Sequence, residues 1–180
     1  YSDDQGLYFY YTPDFQTDIL VRKIEMYDGA TPSGNAVMVR NLLYLGVILD
    51  EKAWKERAGA MLASMATAIQ KHPGSFAYWA QMLQWQVYGL HELAIIGPGA
   101  DALSEAVQRQ YIPNKILQRE LPAGGTAYPL LTGKAAKGNE TFIYPCFQYA
   151  CQAPVHSVEA LLAVLHPNIH PKTVKNPALK

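Results

Sequence analysis

Apolar residues recur along this chain at two different spacings, and the character changes near Glu92. From about Gly34 to Leu49, the positions Val39, Leu42, Leu43, Gly46 and Leu49 repeat at helical intervals. Val37, Leu45, Val47 and Ile48 widen that stripe almost all round, which predicts a buried helix. Ser33, just after Pro32, is its expected N-cap. A second, amphipathic helix is predicted from Trp54, Ala58, Met61, Leu62, Met65 and Ile69 on one face, with Lys52, Lys55, Glu56 and Gln70 outside it. His72-Pro73-Gly74 ends it. A third helix starts at Ser75 and carries Phe76, Trp79, Leu83, Val87 and Leu90 at helical spacing. The short connections imply antiparallel neighbours.

Strand-like runs flank this helical layer. Gly6–Tyr11 and Ile19–Ile24 are rich in aromatic and β-branched residues around a Thr12-Pro13-Asp14 turn signal, which predicts a β-hairpin. Beyond Glu92, the run Leu93–Ile96 closes at Gly97-Pro98-Gly99 and a helix with Leu103, Ala106 and Val107 follows. Lys115–Arg119 and Thr141–Phe147 read as further strands, and Ser157 caps a last helix with Leu161, Leu162 and Leu165 inside. The expected fold class is α+β, mainly helical. Residues 1–91 form a hairpin plus helices, residues 92–166 a small α/β unit, and residues 167–180 a loose tail.

Length and charge narrow the function classes. The 180 residues suffice for a sizeable core. Fifteen basic and fifteen acidic residues cancel, leaving no electrostatic footprint for nucleic acid or an anionic membrane. No apolar run is long enough to span a bilayer. The chain opens on Tyr1 without a basic-then-apolar leader, as expected of a C-terminal piece of a larger protein. Two cysteines are too few for a disulfide framework, so a reducing cytoplasm and two buried free thiols are expected at Cys146 and Cys151. A redox role would require both to be exposed with lowered pKa.

The familiar catalytic signatures are absent. There is no Gly-x-Ser-x-Gly elbow, HExxH or Ser-x-x-Lys. Gly97-Pro98-Gly99-Ala100-Asp101 sits where phosphates bind helix N-termini, yet lacks the third glycine of a dinucleotide fingerprint and the Lys-Ser/Thr of a P-loop. His166 and His170 have ligand spacing, but Pro167 and Pro171 argue against a helix there. His91 falls at the end of the third helix and serves there as a C-terminal cation. No cofactor and no metal is implied.

One loop offers more. Tyr27–Asn35 supplies a carboxylate (Asp28), hydroxyls (Tyr27, Thr31, Ser33), an amide (Asn35) and open backbone amides at a helix start. Arg22, Lys23 and Glu25 lie just upstream. Such a set suits recognition of a polyhydroxylated ligand. Asp, Ser and Asn also cap helices and close turns for purely structural reasons. The scattered aromatic residues carry the same two readings, core packing or a carbohydrate-stacking platform.

The run Tyr27-Asp28-Gly29-Ala30 with Pro32-Ser33-Gly34-Asn35 resembles the YDGA-x-PSGN signature of the spermatogenesis-associated, thioredoxin-domain-containing family. Tyr144-x-Cys146 through Cys151-Gln152-Ala153-Pro154-Val155 resembles that family's C-terminal YVC-x-x-x-x-CQAPV ending, with Pro145 in place of the usual Val. Proline lacks a backbone donor, so this strand should lie at an edge or end early. The resemblance implies an N-terminal thioredoxin-like domain, followed by an (α/α) toroid similar to sugar epimerases and six-hairpin glycosidases. This chain would supply the last antiparallel helical hairpins of the toroid and a C-terminal α/β unit. Its implied partners are that N-terminal domain, the remaining toroid and a carbohydrate-like small molecule, with Asp28, Ser33 and Asn35 at a cleft rim. The alternative is a non-catalytic scaffold, for which the loop residues are tied into internal hydrogen bonds.

Overall fold

A computed structural model of the chain describes residues 1–120 and 128–165. The expected tail at 167–180 and the His166/His170 pair lie outside the described residues. The chain divides into two compact units, one spanning Tyr1–Leu90 and one beginning at His91.

Three helices build the first unit: α1 (Gly34–Ile48), α2 (Lys52–Lys71) and α3 (Ala77–Tyr88). Ser33 caps α1 as predicted, its Oγ accepting the amide of Ala36 at 3.3 Å. Val39, Leu42 and Leu43 of α1 meet Ala58, Met61, Leu62, Met65 and Ile69 of α2 in one core with Trp79 and Met82 of α3. Each large side chain so buried contributes roughly 1.5–3 kcal/mol. The α1–α2 approach is close at Gly46, where an added Cβ would meet Lys55 Cγ at 2.8 Å.

Three expectations change here. α1 is not buried all round, since Leu45 and Leu49 are 44% and 41% exposed. In α3 the buried face runs through Trp79 and Met82, while Val87 is exposed. The third change is the N-terminal hairpin, which does not form. The Gly6–Tyr11 and Ile19–Ile24 runs share one backbone hydrogen bond, from Tyr11 N to Lys23 O at 2.9 Å. Phe9 bridges Ser2 instead, and side chains satisfy the rest of its surroundings. The Asn35 amide accepts from Phe9 N at 2.8 Å and donates to Phe9 O at 2.9 Å. Arg57 of α2 donates to the carbonyls of Leu7 and Tyr8 at 3.0 and 2.9 Å. With its backbone groups taken by side chains and by the backbone of Tyr1–Asp3, the first run has no ladder to offer the second. Leu20 and Val21 accordingly stay exposed.

The second unit is a four-stranded mixed sheet with the order β2-β1-β3-β4: β1 is His91–Ile96, β2 Lys115–Arg119, β3 Phe142–Phe147 and β4 Ala150–Cys151. The α-helix α4 (Ala100–Gln108) carries the chain from β1 to its parallel neighbour β2, and α5 (Val158–Leu165) ends the described residues. Among the described residues the chain is thus α+β, with five α-helices and one mixed sheet. His91 does not end a helix, because α3 stops at Tyr88 and His91 opens β1.

Alternation of side chains gives the sheet two unlike faces. Leu93, Ile95 and Ile143 pack with Val107 of α4 and Leu161 of α5. Glu92, Ala94, Tyr144 and Cys146 point the other way, where Leu130 of a short 3-10 turn (Pro129–Leu131) covers Ala94 and Cys146. Pro145 sits inside β3, opposite Leu93. Its neighbour Ile143 exchanges both backbone bonds with Val155, on the side away from β1, and Pro145 O accepts Gln152 N at 2.9 Å. The missing donor therefore faces the flank where β4 lasts two residues. Among the described residues, no helix is long and apolar enough to cross a membrane.

Candidate functional site

The Tyr27–Asn35 loop is held from inside. Asp28 is buried, and its carboxylate accepts three amides: Ser33 N at 2.8 Å on Oδ1, with Tyr78 N at 2.9 Å and Trp79 N at 3.4 Å on Oδ2. Tyr78 and Trp79 lie in the first turn of α3, so Asp28 caps that helix from fifty residues upstream, where a negative charge is favourable. Its own amide donates to Ser75 O at 3.0 Å. Ser33 Oγ also accepts Trp79 Nε1 at 3.1 Å, and that indole donates to Met26 O at 2.8 Å. Asn35 is 2% exposed, and besides Phe9 its Nδ2 reaches Glu25 O at 2.9 Å. Every polar side-chain atom of Asp28, Ser33 and Asn35 is engaged within the unit.

Beside this loop lies a cleft of about 400 Å³, lined by Phe9, Tyr10, Tyr11 and Met38 together with Glu25 and Asn35. Arg22 stacks its guanidinium 4.0 Å from the Tyr10 ring centroid and donates to Thr12 O at 3.0 Å. Glu25's negative charge, then burial and a hydrogen bond to the same carboxylate, raise the Tyr11 phenol above its ordinary 10.0. Tyr27 is exposed and meets Phe76 edge-on, ring centroids 6.0 Å apart. Of the six candidates, Glu25 and Asn35 line the cleft, Arg22 touches one of its walls, and Asp28, Ser33 and Tyr27 stand outside it.

The Gly97-Pro98-Gly99 turn in the second unit is filled by Thr141. The Gly99 amide donates to Thr141 Oγ1 at 2.8 Å. Gly97 has φ 129°, and a Cβ there would meet Glu140 O at 2.5 Å. Close packing of the turn on the residue before β3 accounts for both glycines.

Cys146 and Cys151 are not free thiols but a disulfide across the β3–β4 hairpin. Strand register makes them direct partners, with Cα atoms 3.9 Å apart, so pairing brings the sulfurs together. Gln148 and Tyr149 close the hairpin, both in the left-handed region at φ 49° and 62°. Tyr149 N donates to the buried carboxylate of Glu92 at 2.9 Å. Lys134 caps the nearby 3-10 turn through the carbonyl of Leu130. Burial lowers the Lys134 ammonium below its ordinary 10.5, with Glu92's charge opposing that shift.

These two motif-bearing segments, the buried loop and the disulfide hairpin, sit within a stretch that aligns along nearly its whole length with known proteins. The chain is similar to spermatogenesis-associated protein 20. Identity to the human protein is 27% over 173 residues, covering 90% of this chain and 22% of that protein. The rat spermatogenesis-associated protein 20 is 28% identical over 172 residues, covering 89% of this chain and 21% of its own length. An uncharacterized protein of Caenorhabditis elegans is 26% identical over 153 residues. The chain therefore spans about a fifth of the length of the curated relatives it matches, with 22% and 21% for the first two. No family model matches the chain, and no solved structure gives a significant match.

Sequence reasoning passed over two groups that organise these sites. Arg57 binds the N-terminal segment through two carbonyls and stacks 3.9 Å from the Phe9 centroid. Its position beside Ala58 on an otherwise apolar helical face was the available signal. Glu92 reads as a break between units, yet it is a buried strand carboxylate. A charge opening an otherwise apolar strand is the signal there.

Proposed function

We propose that Tyr1–Leu90 is a non-catalytic scaffold segment of a longer protein, in which the Tyr27–Asn35 loop ties α1, α3 and the N-terminal segment together. One observation carries this reading: the side-chain polar atoms of Asp28, Ser33 and Asn35 all bond within the unit. A ligand rim needs convergent polar groups left over for its ligand. In the longer protein the segment supplies the last helical hairpins of an (α/α) toroid, with an N-terminal thioredoxin-like domain as the part it supports.

A second reading rests on the aromatic cleft. Its tyrosine and phenylalanine walls suit the apolar face of a carbohydrate-like ligand, and the Glu25 carboxylate among its lining residues suits a hydroxyl. Glycoside hydrolysis requires two opposed carboxylates, and Glu25 is the one carboxylate among the described lining residues. Binding without hydrolysis is what this cleft supports.

Thermal-shift measurements on the longer protein with a panel of sugars and sugar phosphates separate the two. The scaffold reading expects no ligand to raise the melting temperature. A saturable rise that Tyr10→Ala abolishes, while Asp28→Asn leaves it intact, selects the cleft.

A further inference from the structure

The disulfide hairpin lies outside both readings above. Three residues form one cross-strand row on the same sheet face: Glu92 opposite Cys146, and Cys146 opposite Cys151. Their exposure is unequal. Glu92 and Cys146 are 3% and 4% exposed, whereas Cys151 on the two-residue outer strand is open to solvent. The bond also joins residues five apart that the sheet already pairs. Stabilisation by a cross-link grows with the loop it closes, so this short loop gives the fold less in that way than a long one would. Lys134 places a cation on the covered face, where Leu130 packs on Cys146 and the Glu92 charge is felt.

We propose that the hairpin is a thiol–disulfide exchange site for an external dithiol, with Cys151 the sulfur attacked and Cys146 the sulfur that leaves. A thiolate of the dithiol attacks Cys151 Sγ, the Cys146–Cys151 bond breaks, and its electron pair goes to Cys146 Sγ. The second thiol of the reductant then attacks its own sulfur in the mixed disulfide and releases Cys151 as thiolate. Two electrons pass from the dithiol to the hairpin, both cysteines take up a proton, and the reductant leaves as its disulfide. The regiochemistry follows from access, because a nucleophile from solvent meets Cys151 first.

The test equilibrates the native full-length protein in mixtures of reduced and oxidised dithiothreitol, then alkylates it and reads the peptide bearing both cysteines. Reversible interconversion of disulfide and dithiol is expected, with the far-ultraviolet circular dichroism of the folded protein unchanged. A bond that opens only together with global unfolding overturns the proposal. In a second arm, Cys151 in the Cys146→Ser variant should react with an aromatic disulfide reagent at least tenfold faster than Cys146 in Cys151→Ser. Equal or inverted rates overturn the assigned direction of attack. The wild-type arm needs no variant, so a poorly folding mutant leaves the proposal open to refutation. Neither arm depends on the scaffold or cleft reading.

Discussion

Asp28 shows how a residue that looks like a ligand group becomes a structural one. Its carboxylate takes amides from the loop and from the first turn of α3, and all three would be orphaned by truncation. Hydrogen bonds to a charged group contribute about 1.5–3 kcal/mol each way they are measured, and buried unsatisfied donors add their own penalty. Asp28→Ala is therefore expected to lower the stability of the first unit by roughly 2–4 kcal/mol in urea titration. A loss below about 1 kcal/mol would show that Asp28 does not tie the loop to α3. The residue types at this loop were readable in the sequence, but their partners were not. Tyr78 and Trp79 are about fifty positions away, and no local rule links them to Asp28.

At the level of elements, the helices were legible and the paired strands less so. α1 and α2 follow their apolar periodicity closely, and Ser33 caps where capping chemistry places it. The N-terminal runs carry equally good strand residues, yet the backbone of the first bonds to Asn35, Arg57 and the Tyr1–Asp3 segment. Strand pairing is a contest between possible partners, and side chains together with the Tyr1–Asp3 backbone won it here. The β3–β4 turn gives a separate prediction. Tyr149 holds φ 62° in a two-residue hairpin loop, a conformation that glycine adopts without the side-chain penalty. Tyr149→Gly is expected to stabilise the second unit by about 0.5–1 kcal/mol, provided the Glu92 contact to the backbone amide survives. A fall in melting temperature would show that the tyrosine ring matters more than its backbone strain. Lys134 adds a pH dependence with a definite sign. Its folded value is lowered from 10.5, so across the interval between the two the folded chain releases a proton that the unfolded chain keeps. Stability should rise with pH through that interval, relative to a Lys134→Met variant, when melting temperatures are followed on the alkaline side of neutrality. A flat difference between the two proteins would place Lys134 in solvent instead.

For the whole molecule, the first unit leaves apolar side chains uncovered. Leu45 and Leu49 are four residues apart at the end of α1, and Val87 and Tyr88 are exposed on α3. Residues spaced i and i+4 share a helix face. The chain spans about a fifth of the length of its relatives. Prepared alone, the 180-residue chain is expected to associate as concentration rises in light scattering. The double substitution Leu45→Glu, Leu49→Lys should suppress that association with little change in melting temperature. Unaltered scattering would mean that association, if present, uses another surface.

By itself the sequence determined the helical segments, the α+β class and the positions of two informative motifs, because periodicity, capping and turn chemistry act over a few residues. Tertiary structure decided what those motifs do. Burial turned the Asp28 loop from an open set of polar groups into a saturated one, since each group found its partner on a distant element. Strand register turned two cysteines expected as thiols into neighbours in one cross-strand row. Both outcomes depend on contacts between residues that only the folded chain brings together.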